Sequence, residues 1–152
     1  MISKGNQMRE NKGIDLDGWD LHRAAIENMA EIARALIARG SEVDLRDDTG
    51  WTPLHWAAGH NSLEVTRLLI EHGSEFNARD DREWTPLHWA AAHNSLGAAR
   101  LLIEHGADIN AKDHFNFTSL QRAVQENSYE VARLLIENGA DTNGIDLSWV
   151  ES

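Results

Sequence analysis

The sequence repeats itself every 33 residues, and this period constrains the fold more than any other feature. The segment Thr52–Ala58 (TPLHWAA) recurs as Thr85–Ala91, and 85 − 52 gives the period of 33. The same step leads forward to Thr118–Val124 and back to Trp19–Ala25. A unit this short cannot bury its apolar face alone, so the repeat predicts a stack in which each unit packs against its neighbours.

Each unit carries the pattern of two short helices separated by a turn. Thr52 offers a hydroxyl for an N-cap, and Pro53 suits the first helical position, where its missing N–H costs nothing. Residues 54–58 place Leu and Ala side chains on one helical face, and residues 63–69 form a second amphipathic segment. Gly73 then suits the left-handed position that ends a helix. The pattern predicts helix, turn, helix and loop in every unit.

These motifs resemble the ankyrin repeat family. The resemblance rests on TPLHWAA in register and on the segment Leu101–Asn110 (LLIEHGADIN), which is similar to the second helix and following loop of that family. It implies an all-α fold, a solenoid of four stacked helix-turn-helix units joined by extended loops and β-turns. The expected repeats are residues 15–47, 48–80, 81–113 and 114–146.

The two ends of the array differ from its middle. The first copy lacks Thr-Pro, and the fourth has Thr118-Ser119-Leu120-Gln121 in place of TPLH, so we expect both to act as capping repeats. The segment Ile145–Trp149 is expected to fold over the open end, and residues 147–152 form a C-terminal tail. Residues 1–14 are polar and expected to be flexible, without the apolar stretch of a signal peptide.

Composition excludes several classes of function. The chain has 25 acidic and 14 basic residues, a net charge of −11, which argues against nucleic acid or an anionic membrane as a partner. It contains no cysteine, so thiolate metal sites and cysteine nucleophiles are excluded. No window has the ~18 to 20 apolar residues of a membrane span. We expect a cytoplasmic monomer.

Eight histidines raise the question of metal binding. Three occupy the TPLH position, where the resemblance implies a hydrogen bond that ties adjacent loops together: His22, His55 and His88. The aligned pairs His60/His93 and His72/His105 supply two ligands each, which is half a site, and no HExxH motif occurs. We expect no metal and no cofactor, with a histidine-based metal protein as an alternative.

No catalytic motif stands out either. The sequence has no Gly-rich phosphate loop and no G-x-S-x-G elbow. The acidic pairs Asp47-Asp48 and Asp80-Asp81 lack the alternation of a calcium loop, and we interpret them as turn residues that bond local backbone N–H groups. The chain is not expected to be an enzyme.

The candidate partner-binding residues lie in columns one period apart. The resemblance assigns partner contact to the loop tips and first helices of the concave face. In the first column, the residue before each Thr is aromatic: Trp51, Trp84 and Phe117. In the second column, a large side chain stands four positions after that Thr: Trp56, Trp89 and Arg122. We expect Trp51 and Trp84 to contact a partner from exposed loops, whereas Trp56 and Trp89 fit either core packing or contact. The remaining candidates are Asp48, Thr49, Asp81, Arg82, His114, Phe115, His60 and His93.

One aligned position raises a question about the backbone geometry of the turn before each inner helix. Gly50, Glu83 and Asn116 are equivalent, and Glu83 is a poor choice if this position needs a positive φ.

These features predict a non-catalytic module that binds a partner protein or peptide bearing a basic patch. An engineered or consensus-type scaffold without a natural partner is the alternative, because the TPLHWAA blocks are identical. Substitutions such as Gly97-Ala98-Ala99 for Glu64-Val65-Thr66 favour natural descent.

Overall fold

The computed structural model describes residues 14–151, so the predicted N-terminal segment 1–14 lies outside the described residues except for Ile14. Over this range the chain forms helices and loops without a β-strand. Eight α-helices alternate as first and second members of four pairs, and a short 3₁₀ helix follows. They are α1 Leu21–Ile26, α2 Ala30–Ala38, α3 Pro53–Gly59, α4 Leu63–Glu71, α5 Pro86–Ala92, α6 Leu96–Glu104, α7 Ser119–Gln125, α8 Tyr129–Glu137 and the 3₁₀ helix Ser148–Glu151.

The helices form two layers, which confirms the predicted all-α solenoid. The inner layer holds the first helix of each pair (α1, α3, α5, α7), and the outer layer holds the second (α2, α4, α6, α8); each helix packs against its neighbours in the same layer and against its own pair. Leu54, Leu87 and Leu120 are fully buried between inner helices, and Leu69 and Leu102 are fully buried from the outer layer. Fully buried alanines let the inner helices approach each other closely.

The inner helices begin as the sequence predicts. Thr52 is the N-cap of α3, and its Oγ1 accepts a hydrogen bond from the backbone N–H of His55. In return, the Nδ1 of His55 accepts from the backbone N–H of Thr52 at 3.1 Å, which completes a capping box. Thr85 with His88 and Thr118 with Gln121 repeat this arrangement.

The same histidines tie neighbouring repeats together, as the resemblance implies. The Nε2–H of His55 donates to the carbonyl of Trp84 at 2.9 Å, and the Nε2–H of His88 donates to the carbonyl of Phe117 at 2.9 Å. Because Nδ1 accepts a bond and Nε2 donates one, both rings are in the neutral Nε2–H tautomer. Burial lowers the pKa of both histidines, which favours the neutral form further.

Other bonds between repeats were not predicted. Arg46 donates from Nη1 to the carbonyl of Arg79 at 2.6 Å, and Arg79 donates in the same way to the carbonyl of Lys112 at 2.6 Å. On the outer side, the Oδ1 of Asn61 accepts from the backbone N–H of Ala98 at 3.0 Å. These bonds fix the register of one repeat on the next.

The C-terminal end of the array is covered as expected. Ile145 and Trp149 pack against the hydrophobic core, and the ring of Trp149 lies 4.9 Å from that of Tyr129. The segment 145–149 therefore shields the last helix pair from solvent.

Candidate partner-binding surface

The loops that lead into the inner helices α3, α5 and α7 are tight turns, each held by an aspartate. In the third repeat, one carboxylate oxygen of Asp80 accepts from the backbone N–H groups of Arg82 and Trp84, both at 2.9 Å. Asp80 is only 5% exposed, so these bonds replace the water that the charge has lost. Asp47 and Asp113 hold their turns in the same way. The prediction of local turn chemistry is confirmed for Asp47 and Asp80.

The side chains of the second column, which lie on the inner helices, form hydrogen bonds with these loop aspartates. The indole N–H of Trp56 donates to the other oxygen of Asp47 at 2.7 Å, and that of Trp89 donates to Asp80 at 3.0 Å. In the fourth repeat Arg122 takes this place, with its Nη2 2.7 Å from the Oδ2 of Asp113. Both tryptophans are half-buried, so each indole braces a loop while part of its ring reaches the surface.

The ion pair between Arg122 and Asp113 is largely buried. Burial by itself would raise the pKa of Asp113, but the bonds from the Phe117 N–H and from Arg122 outweigh it and hold the pKa below its ordinary value. The carboxylate is therefore charged over the whole physiological range, and it fixes the guanidinium of Arg122 beside the aromatic rings.

The first column interleaves with the second to form one continuous cluster. The ring of Trp51 lies 4.3 Å from Trp56 and 4.4 Å from Trp89, and Trp84 lies 4.8 Å from Trp89. Arg122 then connects Trp84 to Phe117, with its guanidinium 5.1 Å and 4.6 Å from the two ring centroids. We call these seven residues the aromatic cluster: Trp51, Trp56, Trp84, Trp89, Phe117, Arg82 and Arg122.

The structure contradicts the expected exposure of Trp84. Its side chain is 8% exposed, whereas Trp51 is half-buried. Arg82 covers Trp84 at 4.5 Å from the ring centroid, and Arg122 lies over the same ring. The equivalent of Arg82 in the second repeat is Thr49, which is too short to cover Trp51. Trp84 is therefore a core residue, and Trp51 keeps an accessible face.

His60 and His93 are the C-cap residues that follow the inner helices α3 and α5, and they lie beside this cluster. The ring of His93 stacks on Trp89, with the centroids 5.6 Å apart and the planes at 4°. Both histidines line a cavity of about 230 Å³ together with Trp51, Trp56 and Trp89. Burial, followed by the nearby His60, lowers the pKa of His93. Both effects favour the neutral form of His93.

Two family models match the sequence. One, described as ankyrin repeats (3 copies), matches residues 21–113, and the other, described as ankyrin repeat, matches residues 115–147. The chain belongs to the ankyrin repeat family. No curated protein matches it. Ankyrin repeats generally mediate protein–protein interaction and are typically not enzymes.

The loop tips of this ankyrin array carry the most accessible candidates. Phe115 is 66% exposed, the largest exposed fraction among the large apolar side chains that the structure describes. The other five tip residues are exposed as well: Asp48, Thr49, Asp81, Arg82 and His114. The backbone N–H of His114 donates to the carbonyl of Arg82 at 3.0 Å, so adjacent tips are joined.

Two further findings concern the residues that the structure describes. Between residues 14 and 151, no three His, Asp or Glu side chains converge in a way that could hold a metal ion. No helix in that range is long and apolar enough to cross a membrane.

Sequence reasoning missed the part that the aspartates play across the surface. The sequence predicts local turns for Asp47 and Asp80, but each of them, like Asp113, also fixes a residue of the second column. The signal was present in the second, third and fourth repeats, where each aspartate precedes its partner by nine residues: Trp56, Trp89 and Arg122.

Proposed function

We propose that this ankyrin array is a non-catalytic interaction module that binds a partner protein or peptide through its loop tips and inner helices. One observation carries the proposal: the exposed tips, with Phe115 at 66%, border the half-buried aromatic cluster. Tryptophan and arginine are the side chains that most often anchor protein interfaces. The buried hydrogen bonds of Asp80 and Asp113 hold the cluster rigid, which lowers the entropy cost of binding.

Charge selects the kind of partner. The net charge of −11 attracts a basic patch and repels nucleic acid and anionic lipid. We therefore propose a basic protein segment as the partner of a cytoplasmic, monomeric array. Arg82 lies within the surface and provides one site for a carboxylate of that partner.

Affinity capture with paired variants tests the proposal. The double variant Arg82→Ala/Phe115→Ala removes two exposed tip residues, and we expect it to lose a protein that the wild type captures. Arg100→Ala is the matched control, because Arg100 is exposed on the outer helix α6, away from the tips. Equal loss with both variants, or loss with neither, would show that the tips are not the binding surface.

Salt tests the charge argument separately. We expect the affinity for the captured partner to fall as salt rises, since attraction between exposed charges is screened over ~8 to 10 Å at ordinary ionic strength. The change should lie mainly in the association rate, measured by surface plasmon resonance between low and high salt. An association rate that does not change with salt would contradict a basic partner.

A further inference from the structure

The cavity between helices α3 and α5 is walled by three indoles. Trp51 meets Trp56 and Trp89 at 66° in both cases, so the rings stand at steep angles instead of stacking. Gly59 also lines the cavity and carries no side chain to fill it. The volume of about 230 Å³ is below the ~300 to 1,000 Å³ of pockets for drug-sized ligands. The cavity suits the end of one side chain.

The faces of these indoles are suited to a cation. Aromatic faces attract positive charge, and tryptophan does so most strongly. The N–H groups of Trp56 and Trp89 both donate to carboxylates, Asp47 at 2.7 Å and Asp80 at 3.0 Å. A carboxylate that accepts from an indole N–H polarises the ring, which makes its face more negative. The negative charge of the chain adds a longer-range attraction.

Neighbouring rings of the cluster already hold cations. Arg82 lies 4.5 Å from the centroid of Trp84, and Arg122 lies 4.6 Å from that of Phe117. Among the residues that the structure describes, no arginine or lysine lies over Trp51 or Trp56. Arg82 also lies 5.1 Å from the centroid of Trp89, so that ring is partly covered, and the faces of Trp51 and Trp56 are the ones open to a cation from another molecule.

The walls of the cavity favour a methylated ammonium over an unmodified one. An unmodified lysine ammonium carries three N–H donors and a tight hydration shell, so it needs oxygen acceptors when it leaves water. The indoles offer no acceptor, and both ring nitrogens of His55 are occupied by Thr52 and Trp84. The other two imidazoles of the lining, His60 and His93, are exposed at its edge and offer ring nitrogens, not the oxygen acceptors that an ammonium group needs. Methyl groups keep the positive charge, remove donors and present apolar surface to the rings.

We propose that the Trp51–Trp56–Trp89 cavity binds the methylated ammonium group of a lysine in a partner protein. This inference rests on the proposed function, because it places one side chain of a basic partner segment. The cavity occurs at one place in the array because Arg122 replaces the third tryptophan one repeat later, and Gly18 and Arg23 replace the first two one repeat earlier.

Isothermal titration with defined peptides tests the proposal. The probes are Gly-Ser peptides in which flanking arginines surround one central lysine, either unmodified, Nε-trimethylated or replaced by its neutral tert-butyl isostere. We expect the trimethylated peptide to bind about tenfold more tightly than either of the others. Choline serves as a small cation that lacks the peptide, and we expect it to bind more weakly than the trimethylated peptide.

Two variants and one control locate the site. Trp51→Leu removes the aromatic face of one cavity wall but keeps an apolar side chain there and leaves the backbone carbonyl of residue 51 in place. We expect the preference for the trimethylated peptide to disappear in this variant. Gly59→Leu fills the cavity from α3 and should have the same effect if the variant folds, which circular dichroism checks. Tyr129→Leu changes an exposed ring on α8, outside both the cavity and the loop tips, and should keep the preference.

The outcomes separate this inference from the proposed function. Equal affinity for the trimethylated and unmodified peptides would overturn the inference and leave a basic partner in place. Tighter binding of the tert-butyl isostere would overturn it as well, since the cavity would then be a purely apolar pocket. Choline binding as tightly as the trimethylated peptide would overturn the protein source of the cation. Loss of the preference in Tyr129→Leu, with Trp51→Leu unaffected, would place the cation elsewhere.

Discussion

Glu83→Gly should stabilise the protein, because Glu83 occupies a backbone conformation that suits glycine. Its φ is 61°, and the equivalent Gly50 and Asn116 have φ values of 78° and 68°. The backbone N–H of Glu83 donates to the carbonyl of Asp80 at 2.8 Å, which closes a three-residue loop whose last residue is left-handed. The question raised by the aligned sequence is thus answered: the position does require a positive φ, and Glu83 is strained there.

The size of the effect follows from two opposing terms. A left-handed backbone costs a side-chain-bearing residue ~1 to 2 kcal/mol relative to glycine. Glycine loses more freedom on folding, which offsets ~0.4 to 1 kcal/mol of that gain. We expect a net increase of roughly 0.5 to 1 kcal/mol in the free energy of unfolding. For a domain of this size, this corresponds to a rise of about 1 to 4 °C in the melting temperature.

Thermal unfolding followed by circular dichroism measures the change, with two controls. Glu83→Gln removes the charge but keeps the side chain, so it should gain little if backbone strain is the cause. Asn116→Gly should also gain little, because asparagine tolerates the left-handed region. An equal gain with Glu83→Gln would show that charge repulsion is the cause, and a loss with Glu83→Gly would refute the reasoning.

Two further predictions concern stability. Trp84→Ala should lower the free energy of unfolding by ~3 to 5 kcal/mol, as expected for a buried tryptophan, whereas Trp51→Ala should lower it clearly less. Urea unfolding measures both changes, and equal losses would contradict the difference in burial. Stability should be greatest above about pH 6.5 and fall as the pH drops below it, because burial lowers the folded-state pKa of His55 and His88 below that of the unfolded chain. The double variant His55→Gln/His88→Gln should make the stability depend less on pH between pH 7.5 and 5. Glutamine retains the helix cap, as Gln121 does in the fourth repeat. An unchanged slope of stability against pH would show that other groups cause the dependence.

The helices could be predicted from the sequence because their determinants are local. Thr52 and Pro53 start a helix through their own side chains, and Gly73 ends the pair with a φ of 87°. The glycine recurs in all four units, and Thr-Pro recurs in the two central ones, so the helices of one unit predict those of the others even though the end copies depart from the pattern. The hydrogen bond from His55 to the next loop was available only through the family resemblance, because it joins residues 29 positions apart.

The candidate surface was harder to predict because it depends on contacts between repeats. Aligned residues of the same type receive different environments: Trp51 and Trp84 share a column, yet only Trp84 lies under an arginine. The cause is the change from Thr49 to Arg82, two positions before each tryptophan. Sequence alignment of the repeats shows this change, but it does not show that the guanidinium folds back over the ring.

The same comparison explains why a repetitive scaffold presents one distinct cavity. Trp51, Trp56 and Trp89 come from two consecutive repeats, so the cavity needs a tryptophan in the second column of both. One repeat later that position is Arg122, whose guanidinium lies 5.1 Å from Trp84 and is held by Asp113. A cation of the chain itself therefore lies on the aromatic rings at that step. At the preceding step Arg82 lies 5.1 Å from Trp89, but the rings of Trp51 and Trp56 stay open. The change from Trp89 to Arg122 at one position of the repeat thus decides whether the neighbouring rings bind an arginine of the chain itself or can accept a cation from a partner.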